Sequence, residues 1–335
     1  MDALLVPSSL PNCHAQPSLA ARPPLARRVR QRALAGGIML ALLQLVCAPP
    51  ARGAESETGQ VLKAPGATLY YEVRGPDRGT PLVLVNGGPG YDHTYLHRST
   101  AWDELARSRR IVFYDQRGNG RSPALAADQT CTVRDQVADL EALRQHIGSE
   151  RIDLLGHSWG GYLVMAYAAR YPQHVAHLVI CDSAAPKFAD TVFLFKDVYP
   201  ETTSRQEERA FAERMGDPTP HQTSQREYFS MLFYSPEKRD AFIAAGPAPY
   251  NRKVNHAIVA DLENYDLNPE LGKFGFPTLV LTGRFDMNVA PAVAWKIHRA
   301  IPGSRFVVFE RSGHLPFYEE PAEFIRTLEY FLAAP

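Results

Sequence analysis

Arg151-Ile152-Asp153-Leu154-Leu155, then Gly156-His157-Ser158-Trp159-Gly160, then Gly161-Tyr162-Leu163-Val164-Met165-Ala166-Tyr167-Ala168-Ala169-Arg170 is the stretch that decides the fold. The first five residues read as a short apolar strand. The run from Tyr162 to Arg170, closed by Tyr171-Pro172, is helical in composition. A G-x-S-x-G turn between strand and helix is a nucleophile elbow: the turn is so sharp that the serine at its apex has strained backbone angles and an exposed hydroxyl. The two glycines leave room where side chains would collide with the neighbouring strand and helix.

The partners such a serine needs follow it in the order acid, then base. Pro277-Thr278-Leu279-Val280-Leu281-Thr282-Gly283 is a β-rich apolar run ending in Arg284-Phe285-Asp286. Ser304-Arg305-Phe306-Val307-Val308-Phe309 is another strand, followed by Glu310-Arg311-Ser312-Gly313-His314. Each strand delivers one polar residue into the loop at its C-terminal end, where open α/β sheets bind ligands. His314 is the expected general base and Asp286 the acid that fixes its tautomer. Asp261 and Asp266 are weaker candidates for the acid, because no strand precedes them.

An oxyanion formed at that serine needs two amide donors, one of them the N–H of Trp159. The second is expected in the loop Asn86-Gly87-Gly88-Pro89-Gly90, directly after the strand Pro81-Leu82-Val83-Leu84-Val85. Each such donor is worth roughly 3–4 kcal/mol in the transition state. A third glycine-rich turn, Asp115-Gln116-Arg117-Gly118-Asn119-Gly120-Arg121-Ser122, lacks the G-x-x-x-x-G-K-[ST] spacing of a phosphate loop. It is expected to brace the oxyanion loop.

The motifs at 86–90, 115–122 and 156–161 together resemble the proline iminopeptidases, which are prolyl aminopeptidases of the α/β-hydrolase superfamily. The resemblance covers about residues 60–335. It implies Ser158 as nucleophile, Asp286 as acid and His314 as base, with Gly88 and Trp159 lending the oxyanion N–H groups. The chain departs from the family pattern twice. Asn86 stands where members often carry His. Asn255, in Lys253-Val254-Asn255-His256-Ala257, stands where a glutamate that grips the substrate's free amine is expected. Losing one charged hydrogen bond costs roughly 1.5–3 kcal/mol. Glu227, Asn255 and Glu263 are therefore the substrate-binding candidates, with Asp261 as a further compensating acid.

Around these motifs strands near 81–85, 110–114, 152–155, 175–181, 278–282 and 305–309 alternate with helices near 99–107, 132–147, 159–171, 290–300 and 320–333. Val61 to Val73, interrupted at Pro65-Gly66, suggests a β-hairpin ahead of them. Alternation of this kind implies a mostly parallel central sheet with helices on both faces, and the resemblance implies that this is an α/β-hydrolase fold. In the helix at 132–147, Val133, Val137, Leu140, Leu143 and Ile147 recur three to four apart, as one buried face requires. The alternation fails over residues 187–274. That stretch carries aromatics such as Phe193, Phe195, Tyr228, Phe229 and Phe233, and its segments Thr203 to Arg214 and Glu227 to Leu232 look helical. It reads as a helical cap inserted after the sixth core strand, between core segments 55–186 and 275–335.

Residues 1–54 differ from the rest. They hold six arginines and one acid, Asp2, a charge of +5; because the chain balances 36 basic against 36 acidic residues, residues 55–335 carry −5. A basic run, Arg27-Arg28-Val29-Arg30-Gln31-Arg32, precedes 16 mostly apolar residues, Ala33 to Ala48, and then small residues and proline. That pattern is a signal peptide, and 16 residues are short for a membrane span, which needs about 20. Export to the periplasm or medium, with a mature chain beginning near Ala54 or Glu55, is the expectation; an uncleaved N-terminal anchor is the alternative. Beyond this segment only Cys131 and Cys181 remain, and both are expected as buried or half-buried thiols. With no C-x-x-C and no sequence cluster of His and Cys, neither a metal nor a cofactor is expected. No basic patch, coiled coil or nucleic-acid motif is present, so the expected partner is a short peptide or small molecule. The function reading is a serine hydrolase of prolyl-aminopeptidase type. The alternatives are an esterase, lactonase or amidase on a small non-peptide substrate, and a non-catalytic binding protein that kept the fold.

Overall fold

The computed structural model describes residues 59–215 and 221–333; the expected signal peptide lies outside them. Near-continuous apolar runs form the central strands, as full burial on both faces requires. They are β1 (Gln60–Ala64), β2 (Ala67–Arg74), β3 (Leu82–Val85), β4 (Ile111–Asp115), β5 (Ile152–His157), β6 (Val175–Cys181), β7 (Thr278–Gly283) and β8 (Arg305–Phe309). All make one sheet in the order β1-β2-β4-β3-β5-β6-β7-β8. β1 and β2 are the expected hairpin, paired Ala64 to Ala67 across Pro65-Gly66, with Gly66 at φ +75°. β2 meets β4 antiparallel, and every pair from there to β8 is parallel.

Parallel strands need crossovers, and the helices supply them: α1 (Ala101–Leu105), α2 (Val133–His146), α3 (Trp159–Arg170), α10 (Pro291–Ala300) and α12 (Pro321–Leu332), the last preceded by α11 (Pro316–Glu319). α2 starts where a capping box stops fraying: Thr132 accepts the Asp135 N–H while the Asp135 carboxylate accepts the Thr132 N–H. The strands' alternate side chains separate two apolar layers. Val83, Val112, Leu154, Ile180 and Val280 pack with α2, α3 and α10, while Leu84, Phe113, Leu155, Val179 and Leu281 pack with Trp102 of α1 and Phe324 of α12. Cys131 and Cys181 are buried thiols.

Among the described residues six α-helices stand between β6 and β7: α4 (Phe195–Val198), α5 (Pro200–Arg214), α6 (His221–Ser230), α7 (Pro236–Ala244), α8 (Arg252–Leu262) and α9 (Asn268–Leu271). α5 begins three residues before the expected Thr203, because Pro200 suits a first helical turn. α6 lies mostly upstream of the expected segment, ending at Ser230, with Leu232 outside it in the turn. No helix among the described residues is long and apolar enough to cross a membrane.

Candidate active site

β5 runs into α3 through Ser158, whose φ of +57° is a conformation that costs a non-glycine residue on the order of 1–3 kcal/mol. The flanking glycines make the turn possible. A Cβ on Gly156 would fall on the carbonyl oxygen of Gly160, and one on Gly160 would fall on that of Val85. Ser158 N donates to Cys181 O at 2.9 Å, tying the elbow to β6.

The two predicted partners arrive from the ends of β7 and β8. His314 Nδ1 lies 2.7 Å from Asp286 Oδ2. The other carboxylate oxygen of Asp286 accepts the N–H groups of Asn288 at 2.8 Å and Val289 at 2.9 Å. With Nδ1–H committed to Asp286, the lone pair of His314 sits on Nε2, the form a base needs. Ser158 and His314 line one slot of about 20 Å³, room for roughly one water molecule. In this arrangement the Asn288 side-chain amide, 3.0 Å away, meets Nε2. Asp261 and Asp266 are spent elsewhere: Asp261 accepts Val133 N and Asp266 accepts Asn268 N.

Three further residues hold this arrangement. Gly87 N donates to Tyr95 Oη at 2.6 Å, Tyr95 lies 2.7 Å from His157 Nδ1, and His157 Nε2 lies 2.8 Å from the carbonyl oxygen of His314. Read as donors and acceptors, the chain runs from the loop after β3 to the loop after β8 with His157 neutral. Burial, aided by the neighbouring His314, keeps its pKa well below the usual range. Nothing in the sequence beyond adjacency to Ser158 pointed to His157. Asp182 was also missed. It follows β6 at φ +46°, fully buried, and its carboxyl groups with Asp286 and His314, the three ligand atoms lying within 4.8 Å of one another. Burial, and then the Asp286 charge, push its pKa well above the carboxylate range. That shift favours the neutral form of Asp182; the only signal in the sequence was an acid at a strand end.

The loop after β3 is shaped for close approach. Gly88 has φ +136°, and a Cβ there would meet Gly90 N at 2.7 Å. Among the described residues neither Gly88 N–H nor Trp159 N–H enters a loop or turn backbone hydrogen bond. The turn after β4 braces both: Gln116 Nε2 donates to Asn86 O at 2.9 Å, and Trp159 Nε1 donates to Gln116 Oε1 at 2.8 Å. Its arginines bind carboxylates of the protein itself. Arg117 forks onto Asp139 with two 2.7 Å bonds, and Arg121 reaches Glu72 at 2.6 Å.

Beneath that turn lies a cluster assembled only by the fold. Buried His93 puts Nδ1 2.5 Å from Asp115 and Nε2 3.5 Å from Glu72. Burial alone would lower the pKa of His93, but the bonds to Asp115 and Glu72 outweigh it and hold it at about 9. Glu72, His93 and His97 have ligand-capable atoms within 4.8 Å. Arg74, however, donates to His97 Nδ1 at 3.2 Å, leaving the His97 proton on the nitrogen facing Glu72. That is an ion network rather than a set of open metal ligands.

The slot over Ser158 is walled by Tyr91, Tyr95, Tyr228, Phe229, Leu232 and Leu315. It shares Gly88, Tyr91 and Tyr228 with a vestibule of about 300 Å³. Of the three substrate-binding candidates, Asn255 lines the vestibule and donates to Pro89 O at 2.9 Å. Glu227 is ion-paired with Arg209, and Glu263 is exposed at the C-terminus of α8; neither lines the slot or the vestibule.

The sequence matches the alpha/beta hydrolase fold family over residues 80–321. A proline iminopeptidase of Saccharolobus solfataricus is 30% identical over 298 residues, which is 80% of this chain and 89% of that one. A proline iminopeptidase of Lactiplantibacillus plantarum is 31% identical over 291 residues, 80% of this chain and 98% of that one. Among solved structures, a thermophilic esterase from Thermogutta terrifontis superimposes with a TM-score of 0.62 at 29% identity, over 82% of this chain and 98% of the esterase.

Proposed function

The chain belongs to the proline iminopeptidase family of α/β-hydrolases, and from that premise we propose that it is a serine hydrolase releasing an N-terminal residue, preferably proline, from short peptides. The observation that carries the serine mechanism is the meeting of Ser158 and His314 in one slot, with Asp286 on the far side of the imidazole. Ser158 Oγ attacks the carbonyl carbon as His314 Nε2 takes its proton, for which the Asn288 amide has to turn away from that nitrogen. Asp286 stabilises the imidazolium, and the N–H groups of Gly88 and Trp159 receive the oxyanion. His314 then protonates the leaving amine. A water, activated by the same imidazole, hydrolyses the acyl-serine ester and restores the free hydroxyl.

In this reading α4 to α9 act as the cap: Tyr228, Phe229 and Leu232 close the slot from above and restrict it to chain ends. An esterase or lactonase reading is kept alongside, because among the described residues no carboxylate lines the slot or the vestibule to grip a free amine. We also propose that residues 1–54 direct export and are removed near Ala54; a chain isolated from the periplasm or medium that still starts before Arg27 would contradict this.

The deciding experiment compares a prolyl-anilide, its N-acetylated form and a p-nitrophenyl ester. Preference for the free amine supports the peptidase; indifference to acetylation supports the esterase. Ser158→Ala, folded by circular dichroism, should lose turnover of all three and labelling by a fluorophosphonate. Turnover that survives this substitution would remove Ser158 from the mechanism.

A further inference from the structure

The base reaches the slot on a loop that is fastened to the segment between α6 and α7. His314 N donates to Leu232 O at 2.7 Å. Gly313 passes so close to that segment that a Cβ on it would fall 2.2 Å from the same oxygen. Leu232 in turn walls the slot over Ser158. A little further along, the Tyr234 ring stacks on Phe285, the neighbour of Asp286, with 4.6 Å between centroids. The loops that deliver acid and base therefore both lie against residues 232–235.

Glu319, the last residue of α11, stands between these segments and is only 5% exposed. Its Oε1 accepts Tyr234 N at 2.9 Å and Ser235 N at 2.8 Å, and its Oε2 accepts Gly313 N at 2.6 Å, one residue before the base. Donors on both flanks demand a group that accepts on both oxygens and donates on neither, which is an ionised carboxylate. A carboxamide of the same shape has one acceptor atom. It would keep one segment and turn an N–H toward the N–H of the other. Burial pushes the Glu319 carboxyl up to about 7, against the pull of the three backbone N–H groups and Lys238.

We propose that Glu319 is a positioning residue that latches the loop of the catalytic base to the segment walling the slot, so that His314 and the slot keep one fixed relation. A base displaced by about 1 Å can cost on the order of a hundredfold in rate, so a latch one residue from His314 acts on the chemical step. The latch rests on Ser158 and His314 being nucleophile and base, as in the function proposed above, but not on the scissile bond being a peptide.

Glu319→Gln and Glu319→Ala test it. The alanine variant loses a methylene and a carboxylate, together the heavy atoms of acetate, and the groove of about 490 Å³ that Glu319 lines gives a small ion a way in. Measured are kcat and KM on whichever of the prolyl-anilide and p-nitrophenyl ester the wild type cleaves, at about pH 8.5 so that the carboxyl is ionised, with thermal melts to verify folding. Each variant should lose about thirtyfold in kcat with KM within about threefold, the size expected of one hydrogen bond to a charged group. Acetate at about 0.2 M should restore kcat of Glu319→Ala at least about fivefold at matched ionic strength, while acetamide, neutral and of the same shape, should not. A kcat within about threefold of wild type, or a loss lying in KM alone, overturns the latch. So does a loss that acetate leaves unrelieved or that acetamide relieves equally. Failure of both variants to fold even with acetate also overturns it, because the carboxylate would then serve the fold and not the base. If the ester is cleaved and the anilide is not, the peptidase reading fails while kcat on the ester still decides the latch. If the wild type cleaves neither, the hydrolase reading falls and takes the latch with it.

Discussion

Replacing Asp286 by Asn tests the site most sharply when set beside the same change at Asp182, because two buried carboxyls share one neighbourhood. Asp286 accepts three hydrogen bonds, from His314 Nδ1 at 2.7 Å, Asn288 N at 2.8 Å and Val289 N at 2.9 Å. In Asp286→Asn the amide oxygen can still accept the two backbone N–H groups, so the loop after β7 keeps its shape. The amide nitrogen then faces His314 and donates to Nδ1, which moves the ring proton to Nε2 and removes the lone pair the serine needs. In comparable triads that tautomer switch lowers kcat about 10⁴-fold, or about 5 kcal/mol of transition-state stabilisation. Asp182 differs because burial and the Asp286 charge push its pKa upward and so favour its neutral form. Its Oδ1 accepts Gly283 N at 2.8 Å, a bond that an amide oxygen keeps, and its Oδ2 accepts the Cys181 thiol at 3.1 Å, where an amide nitrogen would instead donate to the sulfur. Asp182→Asn should therefore stay within about threefold of wild type, less than 1 kcal/mol. The assay is kcat/KM on whichever of the prolyl-anilide and p-nitrophenyl ester the enzyme cleaves, with thermal melts to verify folding. Asp286→Asn within tenfold of wild type, or Asp182→Asn as slow as that variant, would refute the assignment of Asp286 as the working acid.

Two other perturbations probe the scaffold. Gly160→Ala puts a Cβ onto the Val85 carbonyl, a backbone atom that cannot move aside; a loss of about 3 kcal/mol, or roughly 10 °C in Tm, is expected, and a melt within about 2 °C of wild type would argue against the tight elbow. His93 is held at about 9, above its ordinary 6.5, so its contribution is fully present below pH 6.5 and fades as pH rises through 9. Glu72, which burial would raise but which His93 and Tyr70 bring down to about 2, is the other side of the same contact and adds no separate amount. His93→Gln should cost up to about 3 kcal/mol near pH 6 and progressively less toward pH 10; a penalty independent of pH in urea melts would mean the charge is not what holds the cluster.

How much of this was legible in the sequence depends on how local each feature is. The strand beginning at Ile152, the helix beginning at Trp159 and the glycines at 156 and 160 are governed by neighbours a few positions away, so periodicity and turn chemistry sufficed to read them, although the strand runs two residues past the expected Leu155, to His157. The same holds for the hairpin at Pro65-Gly66 and for Asp286 and His314 as the polar residues delivered by two successive strands. Weak local signals gave weaker readings: α6 has little apolar periodicity over His221–Ser230, and the aromatics that follow it drew the expected helix too far along the chain.

What the linear chain left open were contacts between distant segments. Asp182 sits beside Asp286 because β6 and β7 are parallel neighbours whose ends coincide, Cys181 opposite Leu281. Likewise Asn288 reaches His314 across 26 positions, and Glu72 meets His93 because β2 lies against β4. Tyr250 meets Tyr91, far from it in the chain, only because the fold bridges them at the vestibule wall. Strand order and register set those distances, and both are fixed by how two apolar layers pack around the sheet, a cooperative property that no short window of sequence contains.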